Sequence, residues 1–216
     1  MFCVAVVLVV APAAAGWFAW LPRYRPSLHG AEKYGIDVSA HQRNIDWAKV
    51  ARDHISFAYL KATEGSDFVD SAFTKNWADA RAAGIERGAY HFFTLCTPGN
   101  AQARNFLRVV PMDEVALAPA VDLELKGNCH ARPNTSTVHQ QLADFLTALE
   151  AATGKPTVLY VGHDFDHRYH VRAAENRPLW LRRLLRRPSN PWTVWQIDGF
   201  AHVHGVHGGV DLDLMR

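Results

Sequence analysis

Asp122 and Glu124 stand on either side of Leu123. On a strand, residues i and i+2 point to the same face, which would set both carboxyls side by side. The preceding Ala116–Val121 is apolar, so this strand is expected to be buried on both sides. Burial of two nearby acids raises at least one pKa, as a general acid at neutral pH requires. Taken alone, an Asp-x-Glu pair is better read as solvated acids on an edge strand, or as acids held in core salt bridges. The weight shifts because other polar side chains fall at the ends of other apolar runs. Asp37 ends the first predicted strand, Lys61 and Glu64 follow the second, and His91 ends the third. Tyr160 closes the fifth, Trp180 the sixth, Gln196 the seventh and Asp211 the last.

The elements that must carry these residues alternate. Strands are predicted at Tyr34–Val38, Ile55–Ala62, Gly88–Phe93, Leu117–Leu125 and Thr157–Val161. Helices are predicted at Asp46–His54, Asp70–Ala83, Asn100–Val110, Ser136–Thr153 and His163–Ala174. Leu179–Leu181, Thr193–Ile197 and Val210–Leu212 read as short strands with little helix between them. Such alternation implies an α/β fold with a parallel sheet, and many repeats close into a barrel. The span is shorter than the ~250 residues usual for eight full units, so the expectation is a reduced TIM-like barrel: about five β/α units followed by bare strands. In such barrels the active site lies at the C-terminal ends of the strands, where the residues above were found.

The rest of the chain narrows the class. Of its 216 residues, 49% are hydrophobic and 20% charged, the proportions of a globular protein. A formal charge of +2 gives no basic face for nucleic acid. Residues 2–21 carry no charge and are long enough to span a bilayer core, with Arg23 and Arg25 behind them. They read as a membrane anchor, with Trp17 and Trp20 at the interface, or as a signal peptide cleaved near Ala13-Ala14-Ala15. No Lys or Arg precedes the run, which departs from both patterns. Pro12, Gly16 and Pro22 argue against a buried core helix. Residues 22–33 read as a linker and residues 34–216 as one catalytic barrel. Either membrane reading puts the barrel in the cell envelope or outside the cell.

Tyr34-Gly35-Ile36-Asp37-Val38-Ser39-Ala40-His41-Gln42 resembles the opening motif of glycoside hydrolase family 25, the Chalaropsis-type lysozymes. Asp46-Trp47, Lys61-Ala62-Thr63-Glu64-Gly65, Gly88-Ala89-Tyr90-His91-Phe92 and Ala120-Val121-Asp122-Leu123-Glu124 resemble later motifs in order. Leu179-Trp180, Trp195-Gln196 and Gly205 with Val210-Asp211-Leu212 complete the series. The resemblance implies a flattened form of the barrel. It also implies cleavage of the β-1,4 bond between N-acetylmuramic acid and N-acetylglucosamine in peptidoglycan, with retention, by a monomer that needs no cofactor or metal. It makes Glu124 the acid/base and Asp122 the second key carboxylate, with Asp37 and Asp211 the remaining acids of the cleft. Lys61, Glu64, Tyr90, His91, Tyr160, Trp180 and Gln196 are expected to contact substrate. Leu181-Arg182-Arg183 departs from the small and aromatic residues usual there, and Asp213 stands where Asn is common.

Two rival readings rest on other residues. His163, Asp166, His167 and His170, or His202, His204 and His207, could serve a metal-dependent hydrolase or deacetylase, but no H-E-x-x-H is present. A non-catalytic glycan-binding module would keep the aromatics and lose the acids. Arg182-Arg183 and Arg186-Arg187 could meet anionic wall polymers, although such runs are more often simply solvated. With Cys3 in the apolar stretch, Cys96 and Cys129 remain as an even pair just past the third and fourth predicted strands. Neighbouring strand ends can bring their Cα atoms within bridging distance, so a disulfide is expected in an oxidising compartment.

Overall fold

The computed structural model describes residues 20–216. Nine strands form one sheet: β1 (Lys33–Val38), β2 (Ile55–Glu64), β3 (Phe68–Val69), β4 (Glu86–Phe92), β5 (Ala120–Leu123), β6 (Val158–Val161), β7 (Leu179–Arg182), β8 (Val194–Ala201) and β9 (Val210–Met215). β1 pairs with both β2 and β9, which closes every strand except the two-residue β3 into a mixed barrel. The strands from β1 through β8 in the ring run parallel, while β9 lies antiparallel to both β8 and β1. Helices α1 (Trp47–Arg52), α2 (Phe73–Ala82), α3 (Gly99–Val109), α4 (Thr135–Thr153), α5 (His163–Tyr169) and α6 (Val171–Ala174) all precede β7.

Two apolar layers hold the barrel. Phe57, Tyr59, Val158, Tyr160, Trp180 and Val194 belong to the cluster that fills its interior. The alternate residues of the same strands, among them Ala58, Leu60, Val121, Leu123 and Leu159, meet the helices outside. α4 shows how a helix joins that outer layer. The Asn134 side chain caps it by accepting from Thr137 N, and Gly154 ends it at φ 67°. Val138, Leu142, Phe145 and Leu149 fall on one face and are all buried. Two glycines make the interior possible. A Cβ at Gly35 would lie 2.3 Å from the Phe57 ring, and one at Gly88 would lie 2.4 Å from the Tyr59 ring.

Several elements differ from the sequence reading. β9 is antiparallel because residues 202–209 are too short a connection for a parallel crossover, and they return as a hairpin. β5 begins at Ala120 because Pro119 has no N–H to donate. The helix expected over His163–Ala174 breaks at His170, which adopts φ 53°. The segment expected to be a linker lies against the barrel from Leu21 onward. His202 N donates to Pro22 O, Arg25 pairs with Asp53 at 3.2 Å, and Arg187 pairs with Glu32. Of the apolar stretch 2–21, only its last two residues are described. Among the described residues no helix is long and apolar enough to cross a membrane.

Candidate active site

A cleft of about 280 Å³ opens at the rim formed by the C-terminal ends of the parallel strands. Asp37, Asp122, Glu124 and Asp211 line it, with Tyr90, Tyr160, Trp180 and Gln196 around them. Strand register puts the acids at one level. Asp122 lies opposite Phe92 on β4 and Tyr160 on β6, and Asp37 lies opposite Asp211 on β9. Asp211 reaches this rim because β9 is reversed, so the beginning of that strand, not its end, faces the cleft. Glu124 is the first residue past β5. Two small residues make room for the carboxyls. A Cβ at Gly162 would stand 3.3 Å from Glu124 Cγ, and one at Gly199 would stand 3.0 Å from Asp211 Oδ1.

Hydrogen bonds tie the aromatic floor to the acids. Tyr160 O–H donates to Gln196 Oε1 at 3.1 Å, and Gln196 Nε2 donates to Asp37 Oδ2 at 3.0 Å. Trp180 Nε1 donates to Asp213 Oδ1 at 2.9 Å. Asp122 Oδ1 is buried with no hydrogen-bond partner among the described residues. An unsatisfied carboxyl oxygen is costly in a fold and common where a ligand supplies the partner.

The electrostatics follow from crowding acids in a dry place. Burial pushes Asp122 well above the usual carboxylate range, the charges of Glu124 and Asp37 push it further, and Lys61 opposes them. Burial raises Glu124, while the nearby Tyr160 hydroxyl and the positive charge of Arg182 pull it back. Asp37 is raised by burial and by Asp211. Asp211 rises to about 6 through burial, against the pull of Arg182. Carboxyls crowded into one cleft resist ionising together, so Asp122 and Glu124 are both raised and titrate as a coupled pair. One carboxyl can then give a proton while its neighbour holds negative charge.

Other residues expected at the site are distributed differently. Lys61 and Glu64 pair with each other at 2.8 Å on the rim. Lys61 also lies over the Phe92 ring and near enough to Asp122 to act on it electrostatically. His91 is not in the cleft. Strand alternation sends Tyr90 and Phe92 inward and His91 outward, beneath α3 and α4. There it is 0% exposed, bonded to Thr63 Oγ1 and Gln102 Oε1 and stacked on Phe145. Burial lowers its pKa to about 4, which marks a neutral structural histidine rather than a substrate contact. Trp180 lines the cleft as floor, 3% exposed between Tyr59 and Tyr160.

Two residues of the site were not singled out from the sequence for a role in it. Asp213 is 0% exposed, one inward step below Asp211. Burial and the neighbouring charges of Asp37 and Asp211 raise it well above the usual range, and Trp180 Nε1 fixes its Oδ1. Asn128 clamps the loop behind Glu124. Its Nδ2 donates to Glu124 O at 2.9 Å and to Phe93 O at 2.8 Å, and its Oδ1 accepts from Leu95 N.

Beside that clamp, Cys96 and Cys129 are joined as a disulfide with Cα atoms 6.1 Å apart, closing a separation of 33 residues. In the chain-entropy model a loop of this length gives roughly 3–4 kcal/mol. Denatured, non-reduced protein recovered from the envelope should therefore expose no thiol beyond Cys3. Two further thiols would contradict the bridge in the cell. Cys129→Ser should lower the unfolding midpoint.

Among the described residues, no group of three or more His, Cys, Asp and Glu side chains is arranged to hold a metal. His202 and His204 pack ring against ring at 5.7 Å. A larger cavity of about 510 Å³ involves the segments preceding β5 and β6, but of its two acids Asp113 is tied to Arg87 at 2.5 Å, which leaves Glu114 without a second carboxyl to work with. The smaller cleft, by contrast, gathers four carboxyls.

Comparison with known proteins agrees with this geometry. Residues 36–206 match the family model described as Glycosyl hydrolases family 25. The YegX protein of Escherichia coli K12 is 35% identical over 192 residues, covering 85% of this chain and 69% of that one. Lysozyme M1 of Streptomyces globisporus is 33% identical, covering 82% of this chain and 65% of its own. A family 25 glycosyl hydrolase of Bacillus anthracis superposes with a TM-score of 0.80 at 33% identity, covering 89% of this chain and 93% of that one. A bacterial lysozyme of Streptomyces coelicolor superposes at 0.75 with 31% identity, covering 86% and 92%.

Proposed function

The chain belongs to glycoside hydrolase family 25, and from that membership and its acid cleft we propose a peptidoglycan hydrolase of the muramidase type. The enzyme cleaves the β-1,4 bond between N-acetylmuramic acid and N-acetylglucosamine. The observation that carries the reading is the gathering of Asp37, Asp122, Glu124 and Asp211 in one cleft, where burial raises the pKa of each above the usual carboxylate range.

In this reading Glu124 protonates the leaving glycosidic oxygen and then takes a proton from water. Asp122 acts as the carboxylate of the pair, and the positive charge that develops at the anomeric carbon favours its ionised form against the burial that raises it. Its unpartnered Oδ1 is free to face that charge. Asp37 and Asp211 keep the pair from ionising fully and bind sugar hydroxyls. Gln196 holds Asp37 in place through its amide N–H. Tyr90, Tyr160 and Trp180 form the floor against which the sugar rests. Retention of configuration is part of the proposal.

The substrate lies outside the cytoplasm, and the Cys96–Cys129 bridge suits an oxidising compartment. Residues 2–21 would deliver the barrel there, as a retained anchor or a removed signal. The test is incubation of purified peptidoglycan with the purified protein. Turbidity should fall while reducing ends accumulate. Binding to the polymer without new reducing ends would instead make this a glycan-binding module.

A further inference from the structure

Arg182 is the one basic side chain among the residues lining the acid cleft. It lies two residues after Trp180 on β7, so it shares the inward face but sits at the solvent-exposed rim, opposite Gln196. Its Nη2 lies 3.9 Å from where a Cβ on Gly199 would be, and that same point is 3.0 Å from Asp211 Oδ1. The guanidinium thus leans over the acid cluster. It makes no ion pair within 4.0 Å, and its guanidinium has no hydrogen-bond partner among the described residues. Its neighbours Arg172, Arg177 and Arg187, by contrast, are each locked to a carboxylate.

A cleft of four acids repels anions everywhere except where a cation offsets them. Arg182 makes one edge of this cleft able to accept a carboxylate. Beside the scissile bond the glycan has one group of that kind. The muramic acid bears a lactyl ether whose carboxyl is an amide when a stem peptide is attached and a free carboxylate when it is not. Building on the muramidase reading above, we propose that Arg182 pairs with the lactyl carboxylate of peptide-free muramic acid, so that the enzyme prefers denuded glycan strands. An amidase reaction must then supply its best substrate. Water hydrolyses the lactyl amide, leaving the carboxylate on the sugar and the amine on the peptide.

The test uses the full chain and three substrates. These are peptide-free glycan strands, the same strands with the lactyl carboxyl converted to a methylamide, and strands that retain their stem peptides. Wild type should show kcat/KM at least about tenfold higher on the free acid than on the methylamide, as loss of a charge-assisted contact implies. Arg182→Gln should bring that ratio to about one, and Arg182→Lys should restore part of it. A role confined to tuning the catalytic acids would shift the pH profile equally on both strands and leave the ratio unchanged, which would overturn the inference. An Arg182-dependent preference for peptide-bearing strands would assign the cation to a stem-peptide carboxylate and overturn it as well. If wild type cleaves none of the three, the muramidase reading falls, and this inference with it.

Discussion

Glu124→Gln is expected to fold as the parent does and to lose about 10²–10⁴-fold in kcat/KM on peptidoglycan, the range that general acid–base catalysis supplies. The amide keeps the shape of the side chain beside Gly162 but has no proton to give. Stability should not suffer. The folded pKa of Glu124 is raised, so the native state binds its proton more tightly than the unfolded chain does. That contribution is present below the unfolded pKa and is lost as pH rises through the folded one. At neutral pH glutamate therefore burdens the fold, and glutamine removes the burden. The wild-type rate should fall as pH rises through the raised pKa of the acid pair, and the variant should lack that limb. Thermal unfolding and the rate of reducing-end release at several pH values check both statements. Near-wild-type clearance by this variant would remove Glu124 from its role.

Asp122→Asn should be comparably severe, about 10²-fold or more, for a different reason. Asp122 is half-buried among other acids, with one oxygen unpartnered. Its charge stabilises the oxocarbenium-like transition state, and asparagine is neutral. The two variants separate on a substrate with a good leaving group. An activated aryl glycoside needs no proton from Glu124 to lose its leaving group, so Glu124→Gln should recover much of its kcat/KM for aryl release there, while its turnover stays limited by the water step. Asp122→Asn should not, because charge at the anomeric carbon develops whatever the leaving group. Recovery by both, or by neither, would contradict the division of roles.

The residues of the cleft that could be read in the sequence are those whose signal is local. Asp122 and Glu124 share a face by strand alternation. Asp37 and Asp211 sit beside apolar runs that must be strands. The same alternation, applied strictly, excludes His91. Tyr90 and Phe92 are its neighbours, and if they point into the barrel, His91 cannot. The reversal of β9 also left a trace, because residues 202–209 include Gly205, Gly208 and Gly209 and are too few for a parallel return. Asp213 and Asn128 left no such trace. Asp213 owes its place to sheet register, which sets it beside Gly35 beneath Asp211. Asn128 acts through side-chain bonds to backbone in a loop, and loops have no period to read. The docking of residues 20–32 likewise depends on partners distant in sequence, such as Arg187 and His202.

The most direct test of the central claim is the identity of the sugar left at the new chain ends. Peptidoglycan digested with the purified protein is reduced with borohydride, hydrolysed and analysed for amino-sugar alcohols. A muramidase leaves N-acetylmuramic acid at the reducing end, so the alcohol recovered should be that of muramic acid and should increase in step with reducing ends. If only the alcohol of glucosamine is recovered, the cleft cuts the other glycosidic bond of the strand, and the assignment made here is wrong.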